Sequence, residues 1–271
     1  MKRTDTSTGV ALNNTKSVRV RPVPAVSRSI AILRLLGRTK QSLGVKAIAD
    51  ELALVPSTCL HILRVLVEEE LVRVEHGTKR YALGNGMLSL ARSVLEGGDF
   101  THLVQPVLDR LASEWGVTTM GVEVTPRQGA LVLALSHSSQ PFRVHTDVGS
   151  EFTTLVSATG RLIAAHSGES WPTLQKKFKT ITWDKPTTFE AWKKEVELAR
   201  SQGWSVDRDN FIAGITVIAV PIFGGGDRLT NTLVAVGLSD QLKGTLAAEL
   251  AAAMQQEVKD LSQLLQFKGS R

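Results

Sequence analysis

Ser57, His61 and Arg64 stand at i, i+4 and i+7 in the run PSTCLHILRVL, residues 56–66, so on a helix they share one face. Cys59, Ile62, Leu63, Leu66 and Val67 take the opposite, apolar face. A hydroxyl, an imidazole and a guanidinium along one edge, with Thr58 beside them, are the groups that hydrogen-bond to phosphate oxygens or base edges. Ser57 and Thr58 also suit helix capping, and the two roles are compatible because a helix N-terminus attracts phosphate. A second stretch with chemical capacity is SATGR at 157–161. A Ser-Ala-Thr-Gly turn that opens a helix presents free N–H groups and the positive end of the dipole, a place for a carboxylate. The plainer reading of the same stretch is an ordinary start of a helix.

Other reactive residues point away from catalysis. Cys59 is the only cysteine, so the chain forms no internal disulfide and no cysteine-built metal site, which suits a reducing cytoplasm. On the apolar face it reads as a small core residue. His137, His145 and His166 lack partners at metal-ligand spacing, although His145 remains a polar contact for a pocket. GGGD at 224–227 lacks the Lys-Ser/Thr continuation of a phosphate loop and reads as a hairpin turn. No nucleophile elbow occurs, so an enzyme is disfavoured and neither a metal nor a cofactor is expected.

The elements around PSTCLHILRVL define its setting. Ile30, Leu33 and Leu36, with Ile32 and Leu35, predict a first helix stopped near Gly37, and a second short helix covers Val45 to Leu52. A turn at 53–55 leads to a third helix through Pro56, whose fixed φ suits a first turn. LVRVE and KRYAL, joined by HGT, then form a hairpin. Three helices and a two-stranded hairpin make a winged helix-turn-helix, whose third helix enters the major groove. Arg73, Lys79 and Arg80 on the wing, and Arg28, Arg34, Lys40 and Lys46 elsewhere, are cations for the DNA backbone. Charge agrees: residues 1–92 hold 15 Lys and Arg against 7 Asp and Glu, a net of +8, whereas residues 93–271 hold 17 against 19, a net of −2.

Beyond the wing, residues 86–96 predict a connecting helix, and HLVQPVLDRLASEWG an amphipathic one. VTTMGVEV, GALVLALS, FRVHTDV, WSVD, GITVIAVPIF and TNTLVAVGLS read as strands. SATGRLIAAH, FEAWKKEVELARSQG and LAAELAAAMQQEVKDLSQLLQF read as helices. Interleaved strands and helices predict an α+β domain around a central sheet. No apolar run reaches the 18 or so residues that span a bilayer, and residues 1–23 read as a flexible basic arm without a secretory signal.

VSRSIAILRLL, GVKAIADELAL, PSTCLHILRVLVEEELV and RYALGNGMLSLA, with FRVHTDVGSEF, SATGRLIAA, GWSVDRDNFIAGITVIAVPIF and LVAVGLS, closely resemble the IclR family of bacterial transcriptional regulators over residues 24–267. The resemblance implies a winged helix-turn-helix at 24–85, a linker helix at 86–99, and a GAF/PAS-like effector-binding domain at 100–267 with a central antiparallel sheet. It implies a homodimer or homotetramer on double-stranded operator DNA, and a ligand-responsive repressor or activator of a catabolic operon. Where relatives commonly carry His-Arg in the third helix, this chain has Leu60-His61, so operator sequence does not carry over. Leu60 itself suits local packing or a thymine methyl.

The same resemblance places Ala158 and Thr159 against the acid group of an effector, and Gly160 beside them completes the expected anchor. It adds Asp207, Val217, Ala235 and Gly237 as further pocket positions, and Val144 and Phe152 as hydrophobic wall. Asp207 has a second reading, in which it only orients the loop DRDN. Apolar residues at several of these positions imply a cavity for a small organic acid, aromatic or hydrophobic in body, rather than a two- or three-carbon acid. A ligand-free architectural DNA-binding protein is the alternative, and the large, non-basic C-terminal half speaks against it.

Overall fold

The computed structural model describes residues 23–39, 41–75, 77–97, 99–125, 129–138 and 146–268. Residues 1–22 of the basic arm, Lys40 and the wing-turn His76 lie outside these ranges. The chain divides into two compact units, Met1–Arg92 and Ser93–Arg271.

In the first unit α1 (Pro24–Arg38) starts on a proline and buries Ile32, Leu35 and Leu36. A two-residue strand β1 (Leu43–Gly44) precedes α2 (Val45–Glu51), and α3 (Pro56–Glu68) follows a turn in which Ala53 is left-handed, with φ 51°. The wing, β2 (Val72–Glu75) and β3 (Arg80–Leu83), is antiparallel, and β1 adds to β3 to give the order β1-β3-β2. Two residues are too short a run for hydrophobic alternation, which is why sequence pattern passed over β1. One core joins these pieces: Ile32, Ile48, Cys59 and Leu63 are fully enclosed, with Tyr81 of the wing closing it. Each large aliphatic side chain so enclosed contributes about 1.5–3 kcal/mol. The connecting helix α4 runs Gly86–Gly97, and the division between units falls within it.

The second unit opens with α5 (Asp99–Trp115), then strands β4 (Thr118–Thr125), β5 (Gly129–Ser136) and β6 (Glu151–Phe152). Three helices follow: α6 (Ser157–His166), α7 (Trp171–Phe178) and α8 (Phe189–Gln202). The chain ends with β7 (Ser205–Arg208), β8 (Ile215–Phe223), β9 (Leu229–Leu238) and α9 (Leu246–Lys268). The strands form one antiparallel sheet in the order β6-β5-β4-β9-β8-β7. Residues 224–227, read as a turn, do connect β8 to β9.

Both faces of this sheet are covered. α5 and α9 pack on one through Leu108, Leu111, Leu250 and Met254 against Ile218, Leu233 and Ala235. α6 packs on the other through Ala158, Leu162 and Ile163 against Met120, Val122, Val234 and Val236. FRVHTDV does not form the expected strand in its described part: residues 142–145 lie outside the described ranges, and Thr146–Val148 are not strand. The edge is instead made by Glu151–Phe152, paired with Leu131 and Ala130.

Candidate DNA-binding face and effector cavity

The polar edge of α3 is free. The residue flanking its start is Val55, and no side chain caps the helix, so the hydroxyls of Ser57 and Thr58 do not close its first turn. Ser57, His61 and Arg64 are exposed, and none has a hydrogen-bond partner among the described residues. The opposite face is locked: Cys59, Leu63 and Leu66 are buried, and burial pushes the Cys59 thiol above its usual range, which keeps it protonated and unreactive. Leu60 is half-buried at the boundary. The helix therefore presents hydrogen-bonding groups outward from a rigid apolar base, the geometry that major-groove reading requires.

The wing cations divide. Arg73 and Lys79 are exposed, without a partner among the described residues. Arg80 is exposed but already engaged: its Nε and Nη2 donate to the Ser42 carbonyl at 2.9 and 2.5 Å, stapling β3 to the start of β1. Its hydrogen bonds therefore serve the wing itself.

In the second unit a cavity opens between the first turn of α6 and the sheet, with about 70 Å³ of free volume. Its floor is Met120, Val122, Val217, Val234 and Val236; its sides are Phe152, Thr146 and the α6 residues Ser157, Thr159 and Gly160; Phe211, Ile212 and Ile215 form the last wall. Nearly all of this surface is carbon. Ser157 brings the exception, an enclosed hydroxyl without a partner among the described residues. It is also held at φ 59°, a left-handed conformation that costs a serine of order 1–3 kcal/mol and persists only where its surroundings enforce it. Gly160 makes the turn possible, because a Cβ there would lie inside the backbone of Leu155.

Behind the turn sits Arg161, 0% exposed. Its Nε donates to Glu195 Oε2 at 2.7 Å, Nη1 to the Ser157 carbonyl at 2.9 Å, and Nη2 to Asp207 Oδ1 at 3.2 Å and Asn210 Oδ1 at 3.1 Å. Asp207, 1% exposed, uses its other oxygen to accept from the Phe211 N–H at 3.2 Å. A desolvated guanidinium survives only with its donors satisfied, and here every neighbouring segment supplies an acceptor.

Similarity to known proteins now bears on these two sites. The family model described as "Bacterial transcriptional regulator IclR C-terminal" matches residues 92–263, and the one described as "IclR helix-turn-helix domain" matches residues 25–76. The chain belongs to the IclR family. It is 28% identical to a glycerol operon regulatory protein of Streptomyces griseus over 240 residues, 86% of this chain and 93% of that one. An IclR transcriptional regulator from Alicyclobacillus acidocaldarius shares the fold at a TM-score of 0.78 and 22% identity, covering 89% of this chain and 98% of its own. So does an IclR homologue from Microbacterium hydrocarbonoxydans solved with 4-hydroxybenzoate, at 0.71 and 18%, covering 88% and 98%. As an IclR regulator, this chain is a DNA-binding protein with a C-terminal effector domain, and not an enzyme. Among the described residues no helix is long and apolar enough to cross a membrane.

Measured against the IclR pattern, Phe152, Thr159, Gly160 and Val217 line the cavity. Four other expected positions do not. Ala158 is turned into the core under α6, and its carbonyl accepts from Ser205 Oγ at 2.6 Å. Asp207 is spent on Arg161 and the Phe211 amide, so its carboxylate holds the DRDN turn. Ala235 faces α5 and α9, and a Cβ on Gly237 would meet Leu242 and Val117 on that same face. Side chains alternate along a strand, so the cavity receives their neighbours Val234 and Val236. Val144 and His145 lie outside the described residues. Sequence reasoning passed over Met120, Val122, Val234, Val236, Phe211, Ile212 and Arg161. In β4 and β9 both faces are buried, so hydrophobic periodicity gave no sign of which residues faced inward.

Proposed function

We propose that this regulator reads an operator with the exposed edge of α3 and senses a small organic acid, aromatic or hydrophobic in body, in the cavity at the first turn of α6. In this reading residues 24–85 bind DNA, 86–99 connect, and 100–267 bind the effector, in a homodimer or homotetramer that controls a catabolic operon. Ser57, Thr58, His61 and Arg64 face the groove, Arg73 and Lys79 meet phosphate, and Arg80 supports the wing that carries them. Ser57 and Thr58 serve DNA rather than capping, since α3 has no side-chain cap.

The observation that carries the effector class is the cavity's composition: an apolar floor of valines and methionine beside a helix start with spare N–H groups and the Ser157 hydroxyl. A carboxylate fits the polar end and a hydrocarbon or ring the rest. The fold shared with the regulator solved with 4-hydroxybenzoate supports the aromatic choice. An apolar cavity of about 150 Å³ takes benzene, so a ring here needs a wall to give way from the present 70 Å³. Calorimetric titration with 4-hydroxybenzoate, other aromatic acids, pyruvate and glyoxylate tests this. Aromatic acids are expected to bind the native chain and to lose affinity in Thr159→Val with operator affinity intact. Binding of the keto acids alone overturns the effector class. Failure of a wider metabolite set to raise Tm favours a ligand-free architectural role.

A further inference from the structure

The walls of the effector cavity are not held equally. Those from β4, β8 and β9 are locked in the hydrogen-bond ladder, and the α6 turn is fixed by the close approach of Gly160 to Leu155. A further wall, Phe211 and Ile212, lies in the connection between β7 and β8, where backbone bonds to Lys185, Ile215 and Ser239 are joined by side-chain tethers from Asp184, Asp207 and Asp209. Arg161 ties that connection to α6. One guanidinium reaches the Ser157 carbonyl on the α6 side of the cavity and Asp207 and Asn210 on the other, and Asp207 in turn grips the Phe211 amide.

We propose that Arg161 is a positioning residue for the effector, setting the gap between Ser157 and the Phe211–Ile212 wall and thereby the size of ligand admitted. The inference rests on the cavity being the effector site. Arg161 supplies alignment rather than charge: Asp207, 2% exposed in its side chain, neutralises it within the cluster, and Glu195, 42% exposed, adds a second carboxylate from the surface side. A ligand carboxylate is therefore met by the α6 N–H groups and Ser157 Oγ. Lysine cannot replace the arrangement, because a compact ammonium lacks the planar five-donor fork that spans acceptors on α6, α8 and the β7–β8 connection.

Asn210→Ala removes the bond from Arg161, together with the long Asn210 Nδ2 bond to the Lys185 carbonyl at 3.4 Å, and leaves the buried Arg161–Asp207 pair in place; Arg161→Lys keeps the charge and loses the fork. In the full-length chain, amide hydrogen exchange at 209–213 is expected to be at least tenfold faster in Asn210→Ala and faster still in Arg161→Lys. Exchange in 118–124 and 162–166 stays at the native rate. The affinity ratio of 4-hydroxybenzoate to pyruvate is expected to rise at least fivefold in Asn210→Ala. Unchanged exchange at 209–213, or a rise spread equally over the sheet and α6, overturns the positioning role. Faster exchange with an unchanged ratio overturns the selection by size. If neither acid binds the native chain while 209–213 still loosens, the effector class fails and the tether stands.

Discussion

Arg64 lies eight residues beyond the start of α3 and Arg161 four beyond the start of α6, and the protein uses them in opposite ways. Arg64 sits on the exposed edge of α3 with no partner among the described residues. Arg161 has no exposed surface and donates to four acceptors. A guanidinium left in water keeps its hydration and its binding capacity until a partner replaces them. One taken out of water has no capacity to spare and works as a fixture. The first is suited to contact with another molecule, the second to shaping a cavity that another molecule enters.

Removing Arg161 should give the largest effect. Arg161→Met strands the Asp207 carboxylate in the interior, and breaking a buried pair in this way costs about 3–5 kcal/mol. All five tryptophans, at positions 115, 171, 183, 192 and 204, belong to the second unit, so urea unfolding followed by tryptophan fluorescence reads that loss directly. A midpoint within error of the native chain would mean that the cluster does not hold the fold. Arg64→Ala, by contrast, should leave that transition in place. Its loss appears in operator affinity, about 1–3 kcal/mol if the side chain reads a guanine, and fluorescence anisotropy measures it. A flatter salt dependence with no change in base preference would reassign Arg64 to phosphate.

These two arginines also mark how far sequence reaches. The placement of Arg64 is written locally: its spacing from Ser57 and His61 and the apolar residues between them fix its face, and α3 starts at Pro56 as expected. Three of the four partners of Arg161 come from 34 to 49 positions further along the chain, and no local pattern brings Glu195, Asp207 and Asn210 together. SATGR was legible as a helix start, yet its last residue, the one that fixes the site, was not. Likewise the strand at 229–238 was visible from its valines, while the face each residue takes depends on helices packed on both sides. Family pattern directed attention to Ala235 and Gly237, whose small size serves close packing beneath α5 and α9.

A smaller effect separates true caps from polar residues that only stand near a helix start. Thr188 accepts from the Ala191 N–H at 3.2 Å and caps α8. Thr188→Ala should cost about 0.5–2 kcal/mol, in keeping with a lost cap. Ser57→Ala removes a hydroxyl that caps nothing, and a solvent-facing change of this kind stays within about 0.5 kcal/mol. Differential scanning calorimetry distinguishes them. Equal losses would mean that Ser57 supports α3 after all, and would return it from the DNA face to the fold.

The smallest effect is the pH response of the second unit, and it again depends on burial. His166 ends α6, half-buried edge-on to Phe223 with ring centroids 5.0 Å apart, and shares an open cleft with Glu123, Glu169, Lys177 and Arg228. Burial first, and the nearby Arg200 charge second, hold its pKa below the ordinary 6.5. The folded state therefore binds this proton less readily than the unfolded chain, and stability falls as pH drops through 6.5 toward the folded value. Above 6.5 both states hold the neutral ring and the contribution is complete. Asp209 also has a lowered pKa, through its hydrogen bond to Lys185 first, but it destabilises only as pH falls below the ordinary 3.8, outside this window. Between pH 7.5 and 5.5 the urea midpoint of the native chain should thus fall further than that of His166→Gln. Parallel slopes in the two proteins would remove His166 from the account.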